Sequence, residues 1–143
     1  QVLSIVLMAL FLQACQLGQD DADTVVEATD ITRAVDETVE TINRSSLYTF
    51  IVTGDSNVFE LEDDIEDITV TGSDNIITII EDTQLSTLTV TGANNTLKLE
   101  SGISTRIDEL LISNEGNTII ITEYVTLTDS GTNTTVTATQ VTP

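Results

Sequence analysis

Histidine and tryptophan are absent from the 143 residues, cysteine and proline occur once each, and two Tyr and three Phe are the only aromatics. Without His, and with Cys15 as the lone thiol, neither a histidine acid–base pair nor a Cys–His nucleophile can be assembled. One cysteine also excludes a disulfide within the chain. The shortage of aromatics removes the usual stacking platforms for sugars and bases. Cations are as scarce: Arg33, Arg44, Lys98 and Arg106 stand against 24 Asp and Glu, for a formal charge of −20. Such a surface repels phosphate, so neither nucleic acid nor an anionic headgroup is an expected partner. Its simplest use is solubility in salty surroundings. What remains is rich in Thr, Ile, Val and Leu, the residues that suit strands.

The one long apolar run, residues 2–12, is too short to span a bilayer as a helix and fits the apolar region of a secretory signal peptide. The chain starts at Gln1 instead of Met, so the sequence reads as truncated ahead of that region. The run ends in Leu12-Gln13-Ala14-Cys15, which resembles the lipobox of bacterial lipoproteins, with Gln13 a less usual filler. That resemblance implies cleavage after Ala14, diacylglycerol on the Cys15 sulfur and anchoring to a membrane through acyl chains. Gln16, where an inner-membrane lipoprotein often carries Asp, favours the outer membrane. The other reading is a plain signal peptide followed by a free thiol.

Residues 1–14 are therefore expected as a signal segment, 15–46 as an acidic tether and 47–143 as a repeat domain. In the tether, Val25, Ala28, Ile31, Val35, Val39 and Ile42 fall at helical steps, so a weak helix, with Asp23 as its cap, competes with a disordered spacer.

From 47 onward the chain repeats itself. The stretch "TVTGSDN" at 69–75 returns as "TVTGANN" at 89–95 and, more loosely, as "IVTGDSN" at 51–57. Aligned on Asn57, Asn75, Asn95, Asn117 and Thr134, successive units lie 17 to 22 residues apart. Aliphatic residues recur seven and five positions before each anchor, and two and four after it. Each unit thus reads as a period-two strand, a four-residue corner and a second period-two strand. Gly54, Gly72, Gly92 and Gly131 open the corners, where glycine permits angles that β-branched residues resist. Asn114 replaces glycine in the fourth unit and is the residue next best at left-handed angles. Ser73 and Asp74, inside the corner, read as free to vary. Asp129 and Ala138 fall where aliphatics belong, so the last unit reads as a degenerate cap.

Two all-β architectures fit: a short β-solenoid of about five two-strand coils stacked in parallel, or an antiparallel meander or sandwich. The solenoid accounts better for identical side chains at fixed positions, because stacking gives each Asn an identical neighbour. The repeat resembles the bacterial family called domain of unknown function 3060, which implies a secreted protein or lipoprotein with no assigned activity. The G-x-x-N corner is also similar to curlin repeats, which implies self-assembly, although curlin's glutamine ladder is missing.

Acidic residues carry no catalytic spacing, and no enzyme is expected. A divalent cation such as Ca²⁺ is the alternative, through Glu60, Glu62, Asp63, Asp64, Glu66 and Asp67, joined by Glu81 and Asp82 from the equivalent turn one unit later. Neither an EF-hand loop nor the calcium nonapeptide repeat is present. Charge at these turns also discourages aggregation. A hydroxyl array of Thr69, Thr71, Thr89 and Thr91 suggests an ice-binding face, but Ile51 and Leu111 interrupt it. The expectation is a lipid-anchored envelope protein that presents a rigid acidic surface to a protein or polysaccharide partner; divalent-cation binding or matrix association, and curlin-like self-assembly, are the alternatives.

Overall fold

Alternation of aliphatic and polar residues gives each short segment one apolar face, and two such faces must meet to leave water. The computed structural model describes residues 28–143 and is a parallel β-solenoid without a helix among them. Its first sheet stacks β1 (Thr29–Arg33), β3 (Tyr48–Val52), β5 (Ile65–Val70), β7 (Thr83–Val90) and β9 (Thr105–Ile112). The second stacks β2 (Val39–Ile42), β4 (Val58–Leu61), β6 (Ile76–Ile79) and β8 (Thr96–Leu99). β10 (Thr118–Asp129) closes the path by running from the second sheet into the first, and β11 (Thr135–Gln140) pairs with it. All ten strand pairings are parallel, so every coil lies in register on the next.

The register turns the repeat into columns of like residues. Phe50, Ile68, Leu88 and Leu110 form one inward column and Val52, Val70, Val90 and Ile112 another. Phe59, Ile77, Leu97 and Ile119 face them from the second sheet, all buried. Each such side chain contributes about 1.5–3 kcal/mol by leaving water. Phe50 and Phe59 meet edge to face at 5.1 Å between ring centres. Tyr48, fully buried, donates its hydroxyl to the Glu62 carbonyl at 2.8 Å. Burial, with Asp63 and Glu62 nearby, holds that phenol well above its ordinary pKa.

The solenoid begins earlier than expected. Residues 29–42, assigned from sequence to an acidic tether with a possible helix, instead build the first coil through β1 and β2. The physical reason is the register: Ile31 stacks on Phe50 and Ile42 on Leu61, so these two residues of the supposed helical stripe are strand-inward residues of a coil, whereas Val35 and Val39 are exposed. Two inward positions of this coil carry charge. Arg33 stacks on Val52 and Glu40 on Phe59, and the pair is bidentate at 2.6 Å for both bonds. A charged lid at the end of a core is tolerable because both groups remain partly in water and satisfy each other. The expected signal segment, residues 1–14, together with Cys15 and residues 16–27 of the expected tether, lies outside the described residues.

The Arg33 hydrogen bond holds the Glu40 carboxyl below the ordinary carboxylate range; burial opposes it, and the charges of Arg33 and Arg44 add lesser lowering effects. A lowered folded-state pKa contributes stability above the unfolded value of about 4.3, and that contribution disappears as pH falls through the folded value. Glu40→Gln should therefore cost about 0.2–1 kcal/mol at neutral pH, discounted for the solvent-screened pair, and nothing once acid has protonated the wild type. Urea melts over a descending pH series from 7 check this, the difference between the two chains shrinking as the wild-type carboxyl protonates.

At the far end, no turn separates the second strand of the fourth unit from the first strand of the fifth. β10 runs through both as one strand, with a register shift between Ile120 and Glu123 against β11. Such irregularities bend a strand without ending it.

Candidate functional site

The repeated polar residues converge on the corner after each first-sheet strand. Asn57, Asn75, Asn95 and Asn117 point inward there and are buried. Each side-chain oxygen accepts the backbone N–H of the preceding anchor: Thr38 to Asn57 at 2.9 Å, Asn57 to Asn75 at 3.0 Å, Asn75 to Asn95 at 3.0 Å and Asn95 to Asn117 at 2.9 Å. The Asn57 and Asn75 amides donate onward to the next Asn oxygen at 3.0 and 3.1 Å. Asn75, Asn95 and Asn117 also donate to the carbonyls of Gly54, Gly72 and Gly92, at 2.9 to 3.0 Å. A buried amide ladder of this kind satisfies donors and acceptors that the turning backbone would otherwise orphan.

The glycines have a different role from the expected one. Gly54, Gly72, Gly92 and Gly131 do not adopt positive φ. A Cβ on Gly72 would instead stand 1.9 Å from the Gly54 carbonyl oxygen, and one on Gly92 would stand 1.8 Å from that of Gly72. Glycine is required because coils touch backbone to backbone. The left-handed residue is the one just before each anchor: Glu37, Ser56, Asp74, Asn94, Gly116 and Asn133, with φ from 52 to 73°. Asp74 is thus not free to vary, since only residues tolerant of that conformation fit cheaply. Asn114 does take a positive φ of 70°, but at a position where Gly54, Gly72 and Gly92 do not, so the fourth corner is built differently.

The acidic turns also have internal work. Asp63 accepts the Arg44 backbone N–H at 2.8 Å, Glu81 that of Asp63 at 3.2 Å, and Asp82 that of Ser104 at 2.7 Å. Glu62 accepts from the Asn43 side chain, and Glu60 from Thr41 at 3.2 Å. Asp64 is exposed, Glu66 and Asp67 are half-buried, and one Asp67 oxygen is buried without a partner. Among the described residues, no three Asp, Glu, His or Cys side chains converge as a metal-holding group. The expected acidic edge is therefore spread along the stack, with Glu62, Asp63, Glu81 and Asp82 engaged by amides and Glu60 by a hydroxyl. Millimolar calcium should leave the melting temperature unchanged; an upward shift would mean that a cation binds the folded form and would restore the metal reading.

Two networks had no obvious signal in the sequence. At the anchor corner, Asp36 accepts the Asp55 N–H at 2.7 Å and Asp55 the Ser73 N–H at 2.6 Å, coil after coil. At the opposite corner, the hydroxyls of Thr83 and Thr122 accept the N–H groups of Ile65 and Thr105 at 3.4 and 3.1 Å. Only the repetition of a short polar residue at each turn hinted at them.

Outward, the first sheet carries Thr32, Ile51, Thr69, Thr89, Leu111 and Thr128 in one row. The adjoining row holds Thr53, Thr71, Thr91, Ser113 and Ser130. On a chain of charge −20, both rows are free of ionisable groups. The hydroxyl array expected from Thr69, Thr71, Thr89 and Thr91 does face outward, interrupted by Ile51 and Leu111.

Residues 52–110 match the family described as Protein of unknown function (DUF3060), which covers the central coils of the stack. No curated protein and no solved structure matches the chain. Among the described residues, no helix is long and apolar enough to cross a membrane.

Proposed function

We propose that this chain is a lipid-anchored envelope protein whose solenoid acts by presenting a rigid surface, and that it catalyses no reaction. The observation that carries this reading is the fate of the repeated polar groups. The Asn ladder, the close-packed glycines and most of the turn carboxylates are occupied within the stack, which leaves the flat outer faces as the chemistry offered to a partner. The uncharged Thr and Ser rows, held in register by the coils beneath, suit a protein or polysaccharide surface rich in hydrogen-bonding groups. The lipobox resemblance at Leu12-Gln13-Ala14-Cys15 supports anchoring at the outer membrane, and the similarity to a family of unknown function is compatible with it.

Capture from the native envelope with wild-type chain and with Thr69→Lys/Thr89→Lys tests the face. A partner retained by the first and lost by the second supports the reading. Equal capture by both folded chains, or no capture by either, overturns it. Anchoring is tested separately: Cys15→Ser should move the chain from the membrane fraction to the soluble fraction, and unchanged fractionation would remove the lipid anchor from the proposal.

A further inference from the structure

A stack of parallel coils has two ends, and both carry open strand edges. Among the described residues, β1 and β2 have a hydrogen-bonded neighbour on one side only, as do β11 and the C-terminal half of β10. At the C-terminal end, Tyr124, Leu127, Val136 and Ala138 cover the core and are themselves only partly buried. The Thr134 hydroxyl, which succeeds the Asn ladder there, is buried and has no hydrogen-bond partner. Unpaired edges over an incompletely covered core form a template for another strand pair.

The register columns say which pair fits. The column Arg33, Val52, Val70, Val90, Ile112, Asp129 starts with a cation and ends with an anion. The neighbouring column starts with Ile31 and ends with Leu127, and the anchor column runs from Thr38 to Thr134. Continued by one more coil, these columns set Asp129 of one copy against Arg33 of the next, Leu127 against Ile31, and the unpartnered Thr134 hydroxyl against Thr38. Joining two C-terminal ends would instead bring Asp129 of both copies to the same junction with no cation at that end of their column.

We infer that the solenoid self-associates head to tail, with the C-terminal edge of one copy pairing in parallel with β1 and β2 of a second copy through Asp129 and Arg33. The contact is heterologous, so it extends into a linear stack and does not close into a pair. This inference stands apart from the envelope reading, which concerns the outer faces.

Sedimentation velocity of the full chain carrying Cys15→Ser, which removes both acylation and thiol cross-linking, tests it. About 0.5 M NaCl shortens electrostatic range to a few ångström, so net repulsion between acidic copies is suppressed. Wild-type ends should give a concentration-dependent series of oligomers. Asp129→Lys and Arg33→Ala should each weaken association about tenfold or more. Their mixture should recover a heterodimer and nothing longer, because one variant keeps a working head and the other a working tail. Should either variant lose its melting transition, Ala138→Pro replaces it: that N–H points away from β10 by strand alternation, so the substitution blocks only the open edge and should leave a folded monomer. Wild-type chains that stay monomeric, oligomers indifferent to these substitutions, or folded variants that fail to complement overturn the inference.

Discussion

Replacing Asn75 by Ala should cost about 3–5 kcal/mol, a large share of the stability of a domain this size. Asn75 holds its neighbours on both sides. Its oxygen accepts the Asn57 backbone N–H and the Asn57 side-chain amide, each at 3.0 Å, and its own amide serves the Gly54 carbonyl and Asn95. Asn57 and Asn75 are fully buried, so water cannot replace what is lost. Each orphaned buried donor or acceptor costs about 1–3 kcal/mol, and at least two are created. Equilibrium urea unfolding reads the change as a lower midpoint at constant slope. Thr126→Ala, on an exposed outward position, should stay within about 0.5 kcal/mol. A loss of less than about 1 kcal/mol at Asn75 would mean that the ladder is ornamental to stability.

Gly72→Ala should be as damaging, at more than about 3 kcal/mol, for a steric reason. The added methyl would sit 1.9 Å from the Gly54 carbonyl oxygen and 3.1 Å from the Asn75 amide nitrogen. Neither neighbour is the loose end of a flexible side chain. Relief requires prising one coil from the next, which lengthens the ladder bonds on either side. Gly72→Asn should be no better, because the position does not need a left-handed residue. Gly102 gives the opposite case: it has φ of +90° and nothing within 4 Å of the place a methyl would take, so Gly102→Ala should cost only the conformational strain of about 1–2 kcal/mol. Thermal melts of the three variants separate close packing from backbone angle. Rescue by Asn at 72 would restore the angular explanation.

Both outcomes bear on how much the sequence discloses. Strand, corner and strand are legible because alternation and turn residues are local: Phe50 and Val52 or Ile77 and Ile79 announce which face is inward without reference to anything distant. Parallel stacking is legible too, since four Asn at one repeat position make sense only beside one another. The first coil is not. Two of its four inward positions hold Arg33 and Glu40, its anchor is Thr38, and no glycine opens its corner, so only Ile31 and Ile42 keep the mark of the repeat. The candidate cation edge misleads for a related reason. Glu81 and Asp82 look like free carboxylates until the neighbouring coils bring the Asp63 and Ser104 amides within 3.2 and 2.7 Å.

By itself, then, the sequence determined the all-β class, the unit length, the inward residues from 47 onward and the lack of a histidine to pair with any nucleophile, because composition and period-two patterning act within a few residues. The tertiary structure alone decided where the stack begins, why Gly72 must be glycine, which residue turns left-handed and what the acids bind. Those outcomes depend on the separation between coils, and residues about twenty apart acquire it only when the stack has closed.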